Sequence, residues 1–146
     1  AYSCWTDGSC DNNSSKAGSF AFVLIKDDKV IKTFSKGFLA TTNNRMELSA
    51  IIEAIKYTPD NATLIINTDS QYCIYVTDGK PREKNADLIS KYNKERQRLK
   101  DVIFNWVPGH CGFKYNEIAD KLSFDAYKMI CDENNITIPK RMLRTH

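Results

Sequence analysis

Four carboxylates stand where polar turns interrupt apolar runs: Asp7 in T-D-G-S-C, Glu47 in T-T-N-N-R-M-E-L, Asp69 in N-T-D-S-Q-Y and Asp120 in N-E-I-A-D-K. Brought together, such acids repel one another until a cation neutralises them, and an all-oxygen donor set suits Mg²⁺ or Mn²⁺ far better than zinc. Two such ions roughly 3.5 to 4 Å apart activate a water and stabilise the leaving oxygen of a phosphodiester, so phosphoryl transfer is the implied chemistry. Each acid also has a purely structural reading. Glu47 follows Asn44 by three residues, the spacing of a capping box. Asp7 before Gly8 reads as a turn former, and Asp69 before Ser70 as a helix-start residue. Asp120 falls on a helix face away from Ile118 and Leu122, where exposed acids are the rule. His110, in a Gly-containing loop, titrates in a range suited to proton handling, yet a loop histidine without a role would look the same.

The elements that must carry these residues follow from periodicity. Tyr2 and Cys4 alternate with Ser3 and Trp5, which predicts a short strand closed by Asp7, followed by a turn-rich stretch to Gly18. Two β-rich runs, Ser19 to Lys26 and Val30 to Phe38, are broken by Asp27-Asp28-Lys29 and predict a hairpin. From Asn44, Met46, Leu48, Ile51, Ile52 and Ile55 define a helical apolar face, and Leu64 to Asn67 a buried central strand. Ser70 caps a short helix to about Val76, and Leu88, Ile89, Tyr92 and Leu99 form the seam of a charged helix. Val102 to Val107 predicts a fifth strand, and Asn116 the cap of a last helix with Ile118, Leu122, Ala126 and Ile130 inward. The order β-β-β-α-β-α-α-β-α is that of an α/β fold: a five-stranded mixed sheet, three antiparallel N-terminal strands then two parallel, with helices on both faces. Asp7 closes the first strand and Asp69 the fourth, so if those strands are adjacent the two side chains meet at a strand end, where a mixed sheet presents its site.

Length and composition bound the function. A chain of 146 residues that is 42% hydrophobic buries one substantial core, so a single domain over residues 1–131 is expected, with 132–146 a tail that is either a mobile arm or a contact to nucleic acid. No apolar run approaches the roughly 20 residues that span a bilayer, and no membrane association is expected. Cys4, Cys10, Cys73, Cys111 and Cys131 are odd in number and form no C-x-x-C pair, which argues against a disulfide framework and for free thiols in a reducing, cytoplasmic setting. The formal charge is only +3, but residues 80–100 hold eight Lys or Arg against Glu83, Asp87 and Glu95. Such a stripe fits a phosphate backbone lying across one face, or simply a solvated helix.

Five motifs decide between these readings. T-D-G-S-C, T-T-N-N-R-M-E-L, T-D-S-Q-Y, W-V-P-G-H-C-G and N-E-I-A-D-K-L occur in the order and approximate spacing of type 1 ribonucleases H, and over about residues 1–124 the chain resembles that family. The resemblance implies the ribonuclease H-like fold and a monomeric endonuclease that hydrolyses the RNA strand of RNA·DNA hybrids with two Mg²⁺ ions, Mn²⁺ substituting, and leaves 5′-phosphate and 3′-hydroxyl ends. It implies that Asp7, Glu47, Asp69 and Asp120 bind the metals and that His110 assists proton transfer or product release. Asn43, Asn44 and Gln71 match residues that hydrogen-bond 2′-hydroxyls in the minor groove of the hybrid, the group that separates RNA from DNA. Cys10 and Asn13 match a loop that touches the RNA strand, and Thr42 and Asn85 a pocket for a DNA phosphate. Arg45 reads as part of that pocket or as a surface charge.

The chain also departs from the pattern. It passes from Val76 to Asn85 in a short turn where well-known cellular members carry a long basic protrusion, no aromatic stands at Thr77 to Lys80, and Ala40 replaces a phosphate-binding arginine. Here the resemblance is to retroviral and other handle-less types, so weaker hybrid binding is expected, with Lys80, Arg82, Lys84, Lys91 and Lys94 as compensating contacts. The alternatives are a nuclease domain excised from a reverse transcriptase, since the sequence opens on Ala1, and a catalytically silent hybrid-binding module, which none of the four acids is missing to suggest. Transposase, integrase or exonuclease cores share the acids but lack T-T-N-N-R-M-E-L and the G-H-x-G loop.

Overall fold

Alternation of apolar residues builds the sheet, and the mixed topology expected from the element order is found. The computed structural model describes residues 1–109 and 112–143. Strands β1 (Tyr2–Cys10), β2 (Gly18–Lys26) and β3 (Lys29–Phe38) pair antiparallel, β4 (Thr63–Thr68) and β5 (Asp101–Trp106) join parallel, and the order across the sheet is β3-β2-β1-β4-β5. Between β3 and β4 runs α1 (Asn43–Lys56). Helices α2 (Gln71–Val76) and α3 (Ala86–Arg96) link β4 to β5, and α4 (Lys114–Glu133) and α5 (Lys140–Leu143) follow β5.

The two faces of the sheet bury different sets. Cys4, Phe22, Leu24, Leu64 and Ile66 point to one face, where Leu48, Ile51, Ile52 and Ile55 of α1, Cys73 and Val76 of α2 and Leu88, Ile89 and Tyr92 of α3 complete the main core. Val23 and Ile25 point to the other face and meet Ala119 of α4, with Trp5, Ile118 and Leu122 around them. Ile51 and Ile55 are fully buried, so truncating either to alanine costs about 2 to 5 kcal/mol. No helix among the described residues is long and apolar enough to cross a membrane.

Several boundaries differ from the sequence reading. The hairpin turn is Asp27-Asp28 alone, because Lys29 already pairs with Lys26. The charged helix ends at Arg96, and Leu99 reaches the core from the loop that follows. Helix α4 starts at Lys114 with Phe113 as its cap, so Asn116 is a buried residue of the first turn and no cap. Its most buried line is Asn116, Ala119, Ser123, Tyr127 and Cys131; Ile118, Leu122 and Ile130 flank that line half-buried. A small residue at Ser123 lets the helix sit close to the sheet, its hydroxyl and carbonyl meeting the Ser19 hydroxyl. Part of the expected tail folds back: Ile136, Ile138 and Met142 pack against Ala17, Tyr127 and Cys131. The four described cysteines are free and buried.

Asp27 and Asp28 both adopt left-handed backbone, φ 53° and 61°, the geometry of a type I′ hairpin whose second position favours glycine. Replacing Asp28 by Gly is expected to relieve on the order of 1 kcal/mol of strain, read as a rise in Tm of about 2 to 4 °C.

Candidate active site

The register of the parallel pair sets the site. Strands β1 and β4 align Tyr2 with Leu64 through Trp5 with Asn67, so Asp7 and Asp69 each lie two residues beyond the last pair and come side by side. Contrary to the sequence reading, Asp7 does not close its strand: β1 continues to Cys10 because β2 keeps pairing with it after β4 has ended. Asp7 therefore sits where the strand changes from two neighbours to one, with rigid backbone on one side and an opening on the other.

Glu47 comes to this pair from α1, and the capping-box reading is wrong for it. Thr42 is the N-cap, its Oγ1 accepting from the Arg45 N–H at 3.2 Å, and Glu47 lies one turn further along. Its Oε1 instead accepts from the Gly8 N–H of β1 at 2.8 Å. That contact requires glycine, because a Cβ on Gly8 would stand 2.5 Å from the Met46 carbonyl carbon and 2.6 Å from the Glu47 nitrogen. Gly109, after β5, is likewise pressed against Asp69, and a Cβ there would meet Oδ2 at 2.7 Å.

One carboxylate oxygen from each of Asp7, Glu47 and Asp69 lies within 4.8 Å of the others. Asp120, from the second turn of α4, lines the same cleft of about 230 Å³. Burial pushes the Asp7 carboxyl up to about 8, and the charges of Asp120 and Asp69 and a hydrogen bond with Asp120 push it the same way, against a lowering by the Gly8 N–H. Glu47 is raised well above the ordinary range by burial, then by Asp7 and Asp69. Glu47 Oε2 is buried and accepts no hydrogen bond among the described residues. A donor set made only of carboxylate oxygens, crowded past what their charges tolerate and with one oxygen left over, fits a hard divalent cation.

The other expected contacts occupy the same end of the sheet in part. Asn43 lines the cleft, Asn44 follows it on α1, and Gln71 opens α2 exposed, just after Asp69 and Ser70. Asn13 lies on an exposed turn. Cys10 borders the cleft, but its thiol is buried and donates to the carbonyls of Thr41 (3.4 Å) and Lys16 (3.5 Å). The Thr42 hydroxyl accepts from Arg45 and keeps its own proton to donate. Asn85 accepts from Arg45 at 3.3 Å and donates to the Tyr72 hydroxyl at 2.8 Å. Arg45 grips both oxygens of Asp87 (2.9 and 2.7 Å), tying α1 to α3, and Arg82 does the same to Asp78 (2.8 and 3.0 Å) while lying over the ring of Tyr75. Lys80, Lys84, Lys91 and Lys94 are exposed. His110 lies outside the described residues. Sequence reasoning placed Arg141 and Met142 only within a tail that is a mobile arm or a contact to nucleic acid; in the structure they line the cleft from α5, and no local pattern could link them to Asp7 or Cys10 at the other end of the chain.

The family model for ribonuclease H matches residues 1–128. The chain belongs to the ribonuclease H family. Among its relatives, a ribonuclease HI of Vibrio parahaemolyticus is 36% identical over 89% of this chain and 92% of its own length. A ribonuclease H of Actinobacillus pleuropneumoniae is 38% identical over 82% of this chain and 85% of its own length, and a ribonuclease HI of Haemophilus influenzae is 38% identical over 82% and 84%. Family membership and the acidic cluster together imply use of a divalent metal.

Two outcomes follow from this geometry. Gly8→Ala is expected to push α1 off β1, costing about 1 to 3 kcal/mol as an overpacked contact, and to weaken Mg²⁺ binding measured by calorimetry. The raised Asp7 carboxyl sets a pH dependence for the metal-free protein. A folded pKa above the ordinary 3.8 contributes stability that is full below about pH 4 and is lost as pH rises through about 8. In EDTA, Asp7→Asn is therefore expected to raise Tm at pH 9 and to leave it nearly unchanged at pH 4, and added Mg²⁺ to raise Tm of the wild type more than that of the variant.

Proposed function

We propose that this protein is an endoribonuclease that hydrolyses the RNA strand of RNA·DNA hybrids by a two-metal-ion mechanism, leaving 5′-phosphate and 3′-hydroxyl ends. The observation that carries the reading is the convergence of Asp7, Glu47 and Asp69 within 4.8 Å, with Asp120 at the same cleft, in a chain of the ribonuclease H family. Mg²⁺ held by these four acids would supply the Lewis acidity that generates a nucleophile from water and stabilises the leaving oxygen. The protein's own part is positional. Glu47, anchored by the Gly8 N–H, and Asp69, beside the rigid end of β4, fix the donor oxygens before substrate arrives, which lowers the reorganisation needed during reaction. His110 is assigned the handling of a proton in the reaction.

Substrate choice is assigned to amides. Asn43, Asn44 and Gln71 can each donate to and accept from a 2′-hydroxyl, and a requirement for several in succession excludes duplex DNA. Cys10, through its backbone, and Asn13 add contacts to the RNA strand. Thr42 and Asn85 receive a phosphate of the DNA strand, with Arg45 behind them as the brace that holds both. The connection between α2 and α3 spans only residues 77–85, so hybrid affinity is assigned to the exposed Lys80, Lys84, Lys91 and Lys94 rather than to a protruding handle, with Arg82 held at Asp78.

An end-labelled RNA·DNA hybrid, duplex RNA and duplex DNA incubated in Mg²⁺ test the reading. Cleavage confined to the RNA of the hybrid, abolished by EDTA and lowered on the order of 10²- to 10³-fold or more by Asp69→Asn, is the expected result; survival of the hybrid in both Mg²⁺ and Mn²⁺ would overturn it. For the backbone contacts, Lys84→Ala and Lys91→Ala should each weaken binding to all hybrids alike and reduce the salt dependence of log Kd by about 1.

A further inference from the structure

Asp11 lies just past the end of β1, outside the metal-binding set, and it is only 1% exposed. Its Oδ1 accepts from the N–H groups of Asn13 and Ser14, each at 3.2 Å, and its Oδ2 from the N–H and hydroxyl of Ser15 at 3.3 and 3.2 Å and from the Ser14 hydroxyl at 2.5 Å. The main chain closes the same loop, with the Asp11 N–H donating to Ala17 O at 2.9 Å and the Lys16 N–H to Asp11 O at 3.0 Å. The turn 12–16 is thus wound around one carboxylate. Neutral donors satisfy its lone pairs but leave its charge uncompensated, and a buried anion needs a cation.

That cation is Arg141, which donates to Asp11 Oδ1 across 130 residues of sequence. The segment that carries it is seated firmly: Ile136, Ile138 and Met142 pack on Ala17, Tyr127 and Cys131. Arg141 and Met142 also line the cleft that holds Asp7, Glu47, Asp69 and Asp120. On the far side of the turn, Asn12 Oδ1 accepts from the Asn43 N–H at 3.3 Å, so the turn is bonded to the start of α1, where the amides for the RNA strand stand. Arg141, Asp11, the turn 12–16, Asn12 and Asn43 form one unbroken series of contacts from the C-terminal segment to the substrate side of the cleft. An uncompensated Asp11 would also put negative charge beside a path meant for a polyanion.

We propose that residues 136–143 form a standing wall of the substrate cleft, and that Arg141 is a positioning residue which, through Asp11, holds the turn 12–16 and Asn43 in the shape that receives the RNA strand. This rests on the nuclease reading above. The Arg141 side chain is 39% exposed, so it serves the cleft from its rim, and its action is on binding more than on the chemical step.

The test measures cleavage of an RNA·DNA hybrid in Mg²⁺ by the full chain and its Arg141→Gln, Arg141→Lys, Asp11→Asn and doubly substituted Asp11→Asn/Arg141→Gln forms, with Tm and amide hydrogen exchange alongside. Arg141→Gln is expected to raise KM roughly tenfold with kcat within about twofold, Arg141→Lys to recover part of the loss, and the double variant to be no worse than Asp11→Asn alone. Exchange at the amides of Asn13, Ser14 and Ser15 should speed up in Arg141→Gln. An unchanged KM, or a fall in kcat that tracks a fall in Tm, would overturn the proposal. If the wild type leaves the hybrid intact, the nuclease reading fails, and the exchange data still decide the linkage: unchanged protection of residues 13–15 in both Arg141 variants overturns it.

Discussion

The approach of β1 to α1 at Gly8 is the constraint on which the rest depends. Two backbones come so near that no side chain fits between them, and the gain is a hydrogen bond that turns Glu47 inward beside Asp7. The arrangement is electrostatically unfavourable on its own, as the raised carboxyls of Asp7 and Glu47 show. It persists because the apolar set that packs α1 on the sheet, from Leu48 to Ile55, is buried on almost every side, each large side chain contributing about 1.5 to 3 kcal/mol. The core works as a press, and the acids are what it presses together.

The strand pattern and the helical apolar spacing made the strands, the opening meander and the face of α1 legible from sequence, because alternation and a 3.6-residue period are local properties, while the pairing of β1 with β4 is long-range and only the structure gives it. Glu47 was ambiguous for a local reason as well. Asn44 and Thr42 are both good caps, and only the pairing of Thr42 with the Arg45 N–H shows that α1 starts too early for Glu47 to close a capping box. Asn116 misled in the same manner, since a cap-prone residue marks a helix start within a turn but does not say which turn. Asp11 could not be read at all. Its meaning depends on Arg141, and a contact between the two ends of a chain leaves no periodic trace.

The cations divide into two kinds. Arg45, Arg82 and Arg98 are held in place by carboxylates, Arg98 by Glu95 and Asp60 while also donating to the carbonyls of Ile55 and Thr58, and the planar guanidinium suits such fixed, forked contacts. The lysines of the loop 77–85 and of α3 project into solvent, where a flexible ammonium meets phosphate as a point charge. Arg45 braces the start of α1 against α3 and Arg98 holds the opposite end of α1, while these exposed lysines carry no such fixed contact to a carboxylate among the described residues.

The parallel pairing of β1 with β4, and the arrival of Asp120 from α4, have a consequence for biogenesis. A ribosome releases the chain from its N-terminal end, so the β1–β3 meander can form while the partners of Asp7 are still unmade. Asp7, Glu47 and Asp69, the three acids that converge, are all made once Asp69 has been added, whereas Asp120, which lines the same cleft, follows only with α4. Three acids can therefore gather as soon as β4 joins β1, and the fourth closes the cleft only when α4 has been made and packs on the other face of the sheet.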